Sequence, residues 1–563
     1  MSETKTCAQC KQHFTVDDKD REFYQKIEVP EPRSCPDCRF KRRLMERNAR
    51  TLYYRKCDKT GKQILSQYHE GHPFPVYEYT EWEKDDWDGM TYGQAVDLNR
   101  GFFEQFKELE NKVPHFSIFA VPNSLENSDF TNCTGYLKNC YLIFESDHDE
   151  DCYYSNLLKN SKDIVDSSIC YDSEQLYECI DCTNCHRSIY LQDCENCSDS
   201  AFLKNCIGCH DCIASTNLKQ KSLMINNKQY SKEEYEAKKK ELDFSKLSKL
   251  KGFEKECDQF FKEQFYKFRN AINVENCSGD HLHNSKNAKL CFDSKDLENC
   301  NYCARLSLHV KDSMDYNSWG DKVELAYMCS ACGDNSYNIK FCSTCSTNNK
   351  NIEYCIQCSS CSDCFGCVGL KKKQYCILNK QYTKEEYTEL RQKLIEQMKT
   401  AGEYGEYFPK ELAPFGYNET IAMDYFPLTK EQALAAGYKW RDPDQKEYQP
   451  QTYVVGDDIS EVNEDIVNQI LSCKVCKRNY KVIPQELVYL KTNKLPIPDL
   501  CPNDRHLARM KKRNPANLFA RECMCEQAGH DHAGKCLNKF ETTYDPNRPE
   551  KIYCEECYQK SVI

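Results

Sequence analysis

Forty of the 563 residues are cysteine, and their spacing restricts the folds open to the chain. Near the N-terminus Cys7 and Cys10 form one C-x2-C pair, and Cys35 and Cys38 form another. Four soft thiolates in two such pairs complete a zinc tetrahedron and leave no open position for a substrate. A closed site of this kind supplies folding energy rather than chemistry.

The same module recurs 466 residues later. Cys7, Cys10 and Cys35 become Cys473, Cys476 and Cys501, Pro36 becomes Pro502, and Arg39, Arg43 and Arg47 become Arg505, Arg509 and Arg513. Cys38 becomes Asp504, so the second site keeps three thiolates, with Asp504 or His506 to complete it. A third site is expected at Cys536, Cys554 and Cys557. Its fourth ligand is drawn from Cys523, Cys525, His530 and His532; a thiolate is favoured, and Cys525 is taken. By the same offset Cys57 opens a related hairpin whose later thiolates are missing, and it reads as a buried relic.

A basic run follows each second knuckle. The first holds Arg39, Arg42, Arg43 and Arg47, and the second holds Arg505, Arg509, Lys512 and Arg513. Both read as short helices with one positive face, which is a candidate contact for the phosphates of RNA or DNA. The competing reading is a solvated helix face on an acidic protein, with the acidic stretch Glu78, Glu81, Glu83, Asp85, Asp86 and Asp88 as one intramolecular partner it could dock on. The formal net charge of −11 excludes a generic polyanion binder, so any such contact must be local.

Residues 133–376 use cysteine differently. Cys152 and Cys170, Cys179 and Cys197, and Cys194 and Cys212 are each 18 apart, with Ser161 and Ser188 at halfway positions, which reads as a nine-residue register. Steps of 13 appear later, at Cys329, Cys342 and Cys355, and imply a change of coil length. No amphipathic helix has this period, whereas a parallel β-solenoid stacks equivalent positions into ladders. The block is duplicated at an offset of 152, and each copy ends in NKQY followed by SKEEY or TKEEY. Ser231 with Glu234, and Thr383 with Glu386, form capping boxes of helices that close the repeats. The run Cys355, Cys358, Cys361, Cys364 and Cys367 also admits an iron–sulfur reading, but Val368 stands where a ferredoxin motif has proline. A packing ladder is favoured.

No stretch approaches the ~20 apolar residues of a membrane span. The first ten residues carry no apolar segment, so no secretory signal is expected. There is no P-loop, GxGxxG, GxSxG or HExxH. The segments expected are a zinc module at 1–56, a degenerate ribbon and connector at 57–130, solenoids at 131–243 and 276–400 joined by a helical linker at 244–275, a connector at 401–470, a second zinc module at 471–522 and a ribbon at 523–563.

The motifs CPDCRFKRR, RKCDKTGK, GCVGLKKKQYCILNKQYTKEEY, PFGYNET, DYFPLTKEQA and YCEECY together resemble a family of cysteine-rich zinc-ribbon proteins from ultra-small bacteria. The resemblance spans essentially the whole chain and implies architecture but no activity. Some members carry a class III CoA-transferase label; that fold is α/β, and the alternating strand–helix pattern it needs is missing here. Asp504 departs from the family's usual cysteine.

The expectation is therefore a mainly β chain with small α+β zinc modules. Terminal treble-clef or zinc-ribbon modules flank two Cys-laddered parallel β-solenoids with helical caps. The cofactor is zinc, about two or three structural ions. The function is a non-enzymatic, cytoplasmic scaffold that meets proteins through the solenoid faces and RNA, DNA or the ribosome through the basic helices, with no membrane role. A metal or thiol reservoir and a CxxC oxidoreductase are the competing readings.

Overall fold

The computed structural model describes residues 3–442 and 447–562. They are mainly β, and they form two units: residues 3–119 with 269–442, and residues 120–268 with 447–562. The eight contiguous segments of the sequence thus regroup. Each unit holds one parallel strand array; the first unit adds the N-terminal cysteine module and the second adds both C-terminal ones, so the modules come from the opposite end of the chain in each case.

In the second unit the array runs from Leu125–Glu126 to Ser222–Ile225. Its register is twelve residues: Ser168 pairs with Ile180, Cys170 with Cys182, and Cys182 with Cys194, all in parallel. Ile189 pairs with Ala201 and Gln192 with Lys204, both on one strand, so the sheet closes on itself. The expected register of nine is corrected to twelve. The backbone bends at every third residue, with φ near +55° at positions such as Asn160, Asp163, Asp166, Ile169 and Asp172. The residue after each bend points inward: Cys179, Cys182, Cys185 and Ser188 are all buried, and Leu191 begins the next repeat.

This geometry accounts for the composition. The left-handed bends favour Asn and Asp, which tolerate that region better than other side chains. Their amides also stack along the array, as in Asn139 donating to Asp151 at 3.1 Å and Asn160 to Asp172 at 2.9 Å. The inward positions must be small and must also serve backbone groups. The N–H of Cys179 donates to Ser167 Oγ at 3.0 Å, and that of Cys212 donates to Ser200 Oγ at 3.1 Å. The inward thiols donate to the carbonyl two residues back, and several also approach the one nine residues on, as Cys179 does with Tyr177 (3.5 Å) and Ser188 (3.8 Å). Serine and cysteine satisfy buried backbone groups that leucine leaves orphaned. The spacing of nine in the sequence is this diagonal contact, one bend short of a full repeat.

The first unit's array runs from Ala271–Glu275 to Gln374–Ile377. It starts at a register of eleven, as in Ala271 with Leu282, passes to twelve, as in Asp280 with Phe292, and widens to thirteen, as in Tyr316 with Cys329 and Ile339 with Ile352. It returns to twelve at Cys364 with Cys376. Both arrays end alike. A strand folds back antiparallel, Ile225 on Lys228 and Ile377 on Lys380, through left-handed residue pairs at Asn226-Asn227 and Leu378-Asn379. The helices Lys232–Glu241 and Lys384–Ala401 follow, each opened by its capping box. The reversal terminates the row of free strand-edge groups that an open parallel array presents.

Within the expected helical linker the helix ends at Lys262, and Phe265–Lys267 is a strand paired with Lys551–Tyr553. Among the described residues no helix is long and apolar enough to cross a membrane.

Candidate metal centres

The first two modules begin as hairpins whose tight turn carries two thiols, of which Cys7 and Cys473 are buried. In the first, Cys7 N–H donates to Gln12 O at 2.8 Å and Lys11 N–H to Cys7 O at 3.1 Å, with Lys11 at φ 65°. In the second, Cys473 N–H donates to Arg478 O at 3.0 Å and Lys477 N–H to Cys473 O at 3.1 Å. The remaining ligands come from a helix start: Cys35 caps Pro36–Leu44 and Cys501 caps Pro502–Met510, each followed by proline at the first helical position. Proline suits that position because its missing N–H has no partner there, and the helix dipole favours an anion at its N-terminus.

The sulfurs of Cys7, Cys10, Cys35 and Cys38 lie within 4.8 Å of one another. The Cys10 and Cys35 sulfurs are 3.7 Å apart. Four sulfurs about 2.3 Å from a central ion define edges of about 3.8 Å, so the spacing fits a metal tetrahedron. The N–H groups of Cys10 and Cys35 donate to Cys7 Sγ at 3.5 and 3.2 Å, a shell that stabilises thiolate. The hydrogen bond with Cys38 chiefly, and those with backbone N–H, Cys10 and Cys7 besides, hold the Cys35 thiol down to about 5 against burial. Burial raises the Cys7 thiol, but three backbone N–H groups outweigh it and leave it lowered.

In the second centre Cys473, Cys476, Cys501 and Asp504 meet the same distance test. The Cys476 and Cys501 sulfurs are 3.7 Å apart, and the Cys473 thiol donates to Asp504 Oδ2 at 3.0 Å. Burial raises the Asp504 carboxyl, yet the three neighbouring thiols hold it below its ordinary range. Burial, then the Asp504 carboxylate, push Cys476 up to about 12. Asp504 thus supplies the fourth anion that Cys38 supplies in the first centre. His506 is buried and stands outside the group.

The third centre corrects the sequence reading. Cys523, not Cys525, joins Cys536, Cys554 and Cys557. Cys523 N–H closes the hairpin on Asn538 O at 2.8 Å, and Cys554 N–H donates to Cys523 Sγ at 3.3 Å. Asn538 Nδ2 approaches Cys554 Sγ at 3.4 Å. Cys525 lies beside His530 instead. Cys57 is buried, accepts the N–H of Glu78 at 3.3 Å, and belongs to no such group among the described residues. The array cysteines, Cys355, Cys358, Cys361, Cys364 and Cys367 included, form none either among the described residues.

The basic helices turn inward. Arg39 Nε donates to Asp315 at 2.8 Å, and Arg43, fully buried, reaches Asp315 at 2.8 Å, Asn317 at 3.0 Å and Tyr302 O at 3.3 Å. In the other unit Arg505 pairs with Asp166 and with Glu486 at 2.9 Å. Arg509 reaches Asp166 and Glu178, both at 3.1 Å, and Tyr154 O at 3.1 Å. The two clamps share one plan, down to Arg39 over the Tyr302 ring and Arg505 over the Tyr154 ring. Arg42 is buried against Glu46 and the carbonyls of Phe408 and Pro409. Lys512 pairs with Glu254 and Arg513 with Asp181. Arg47 is half-buried. The expected phosphate-facing surface is therefore corrected at Arg39, Arg42, Arg43, Arg505, Arg509, Lys512 and Arg513: these charges are neutralised within their own units, because buried guanidinium groups require anionic partners. The clamp acids escaped the sequence reading. A signal existed, since Tyr154 and Tyr302 are 148 apart while Cys206 and Cys358 are 152 apart, which marks the thirteen-residue steps between them.

No protein-family model matches the chain, and no curated protein matches it. Among solved structures, a provisionally assigned acetyltransferase of Desulfovibrio desulfuricans G20 is 11% identical, with 42% of this chain and 69% of that chain covered and a TM-score of 0.10. A likeness that slight carries no argument about fold or activity.

Proposed function

We propose that this chain is a non-enzymatic zinc scaffold made of two β-solenoids, each pinned by a zinc module. The observation that carries the reading is a closed donor set at three places. Four thiols form the first, three thiols with a carboxylate the second, and four thiols the third, with a sulfur–sulfur spacing of 3.7 Å measured in the first two. Thiolate-rich tetrahedra of that size suit zinc, and they stabilise folds rather than activate water. The twelve-residue parallel register with inward-facing side chains supports the solenoid reading. The role of the zinc modules is to start the helices whose arginines grip the arrays. Phosphate contact through those arginines is not part of the proposal. The partners are proteins of the cytoplasm that meet the outer faces of the arrays, since extended repeat surfaces serve that purpose.

The test is elemental analysis of protein purified without oxygen, with native thiol titration in parallel. Stoichiometric zinc with unreactive array thiols is the expected result. Iron, or metal far beyond the module sites, favours a reservoir and overturns the scaffold reading.

A further inference from the structure

The C-terminal module differs from the other two in one respect. Between Cys7 and Cys10 the turn has two residues, whereas between Cys523 and Cys536 it has twelve, in the sequence CMCEQAGHDHAGKC. The hairpins are otherwise closed alike, by Cys7 N–H to Gln12 O and by Cys523 N–H to Asn538 O, both at 2.8 Å. The expanded turn carries Cys525, His530 and His532. It folds back through Gly529 and Gly534, whose φ values of 87° and 68° suit glycine.

We propose that this turn builds a second metal site, in which Cys525, His530 and His532 hold a zinc-class cation and share Cys557 with the ion of the ribbon. The four donor atoms lie within 4.8 Å of one another. Cys525 Sγ is 3.2 Å from His530 Nδ1, and Cys557 Sγ is 3.4 Å from His532 Nε2. For a tetrahedral zinc ion with ordinary Zn–S and Zn–N bonds that edge is about 3.6 Å. The tautomer is right as well. His532 Nδ1 is 2.8 Å from Gly534 O, and a carbonyl can only accept, so Nδ1 carries the proton and Nε2 presents its lone pair to the site. Metal-binding histidines are oriented in this way by a backbone carbonyl on the far nitrogen.

Cys557 belongs to both donor groups, and its sulfur is buried between them. A thiolate has lone pairs for two ions, so the centre is a thiolate-bridged pair. The two ions differ in access. The ribbon ion is enclosed by four buried cysteines, while His530 and His532 are half-exposed. The second ion therefore exchanges with solution and leaves first.

The inference rests on the metal reading of the ribbon, and native mass spectrometry of the full-length, zinc-loaded chain separates the two. The wild type is expected to carry four zinc ions, three from the modules and one from the turn. H530A/H532A is expected to carry one fewer, and its retained ions show that it is folded. C557S is expected to lose two under competition with a chelator, because both ions lose a ligand. An equal count in wild type and H530A/H532A overturns the second site and leaves the ribbon reading standing. Loss of a single ion from C557S overturns the bridge. A wild type without zinc overturns both.

Discussion

Ser167 shows why the array interior is built from serine and cysteine. It is fully buried, its Oγ accepts the Cys179 N–H at 3.0 Å, and its hydroxyl donates to Val165 O at 3.1 Å. Ser167→Ala removes both bonds and leaves the Cys179 amide without its acceptor. An orphaned buried donor costs about 1–3 kcal/mol and each lost bond about 0.5–1.5, so the expected loss is about 2–4 kcal/mol. Ser167→Cys keeps a donor and an acceptor. Cys179 Sγ already accepts the Leu191 N–H at 3.4 Å, so the cysteine variant is expected to cost under about 1 kcal/mol. Hydrogen exchange of the zinc-loaded chain, read by mass spectrometry on peptides covering residues 153–191, measures local opening directly. The alanine variant should exchange these amides about 10²-fold faster than the cysteine variant, at tenfold per 1.4 kcal/mol. If the two variants exchange alike, the inward side chains are packing volume alone, and the argument from backbone satisfaction fails.

Removing the carboxylate of the second centre by Asp504→Ala should speed zinc release to a chelator from that centre by at least about tenfold, whereas Asp504→Cys should slow it; dye-coupled release kinetics decide. His115 is buried against the face of Phe74 at 3.8 Å, and burial lowers its pKa to about 3. Its folded pKa lies below the ordinary histidine value, so its stabilising contribution is full above about pH 6.5 and is lost as pH falls toward 3. Urea midpoints between pH 7 and pH 4 should therefore fall less steeply in His115→Phe than in wild type; equal slopes would exclude His115 as a source of acid sensitivity.

Much of this was legible in the sequence. Two of the three closed centres follow from spacing and the 466-residue repeat, because three of the four donors recur unchanged and the fourth, Cys38, is replaced by another ligand type, Asp504. The thirteen-residue steps and the capping boxes at Ser231 and Thr383 were equally plain. The true register was hidden because inward columns mix residue types: Cys152 is followed at twelve-residue intervals by Ile164, Leu176 and Ser188, all buried. The choice of Cys523 over Cys525 turns on the backbone bond to Asn538, which no spacing rule contains. The burial of the arginines was also out of reach. Their partners are more than 270 residues away in one unit and more than 330 in the other for the Asp315 and Asp166 contacts, and a basic helix looks the same whether it faces phosphate or aspartate.

The clamps tie the bend chemistry to the cysteine modules. Asp166, Glu178 and Asp181 all sit at left-handed bends, and so does Asp315. A fold that favours Asn and Asp at its bends sets acids along the array, and the module helix supplies matching cations. Adjacent repeats are about 4.8 Å apart in such a sheet, and arginines four apart on a helix are about 6 Å apart along its axis, so Arg505 and Arg509 can each find a carboxylate. Asp166→Asn isolates the charge, because asparagine keeps the left-handed preference and the shape. It leaves Arg505 and Arg509, both buried, with one carboxylate fewer between them. Breaking a buried ion pair from one side costs about 3–5 kcal/mol. The helix Pro502–Met510 should then open more often, and because Cys501 caps it, zinc should leave the second centre faster. Asp315→Asn should do the same to Pro36–Leu44 and the first centre. Hydrogen exchange of each helix, with zinc release from each centre, reads both effects. If Asp166→Asn loosens the helix without changing zinc release, the module is held by its own hairpin, and the arginine clamp merely orients it.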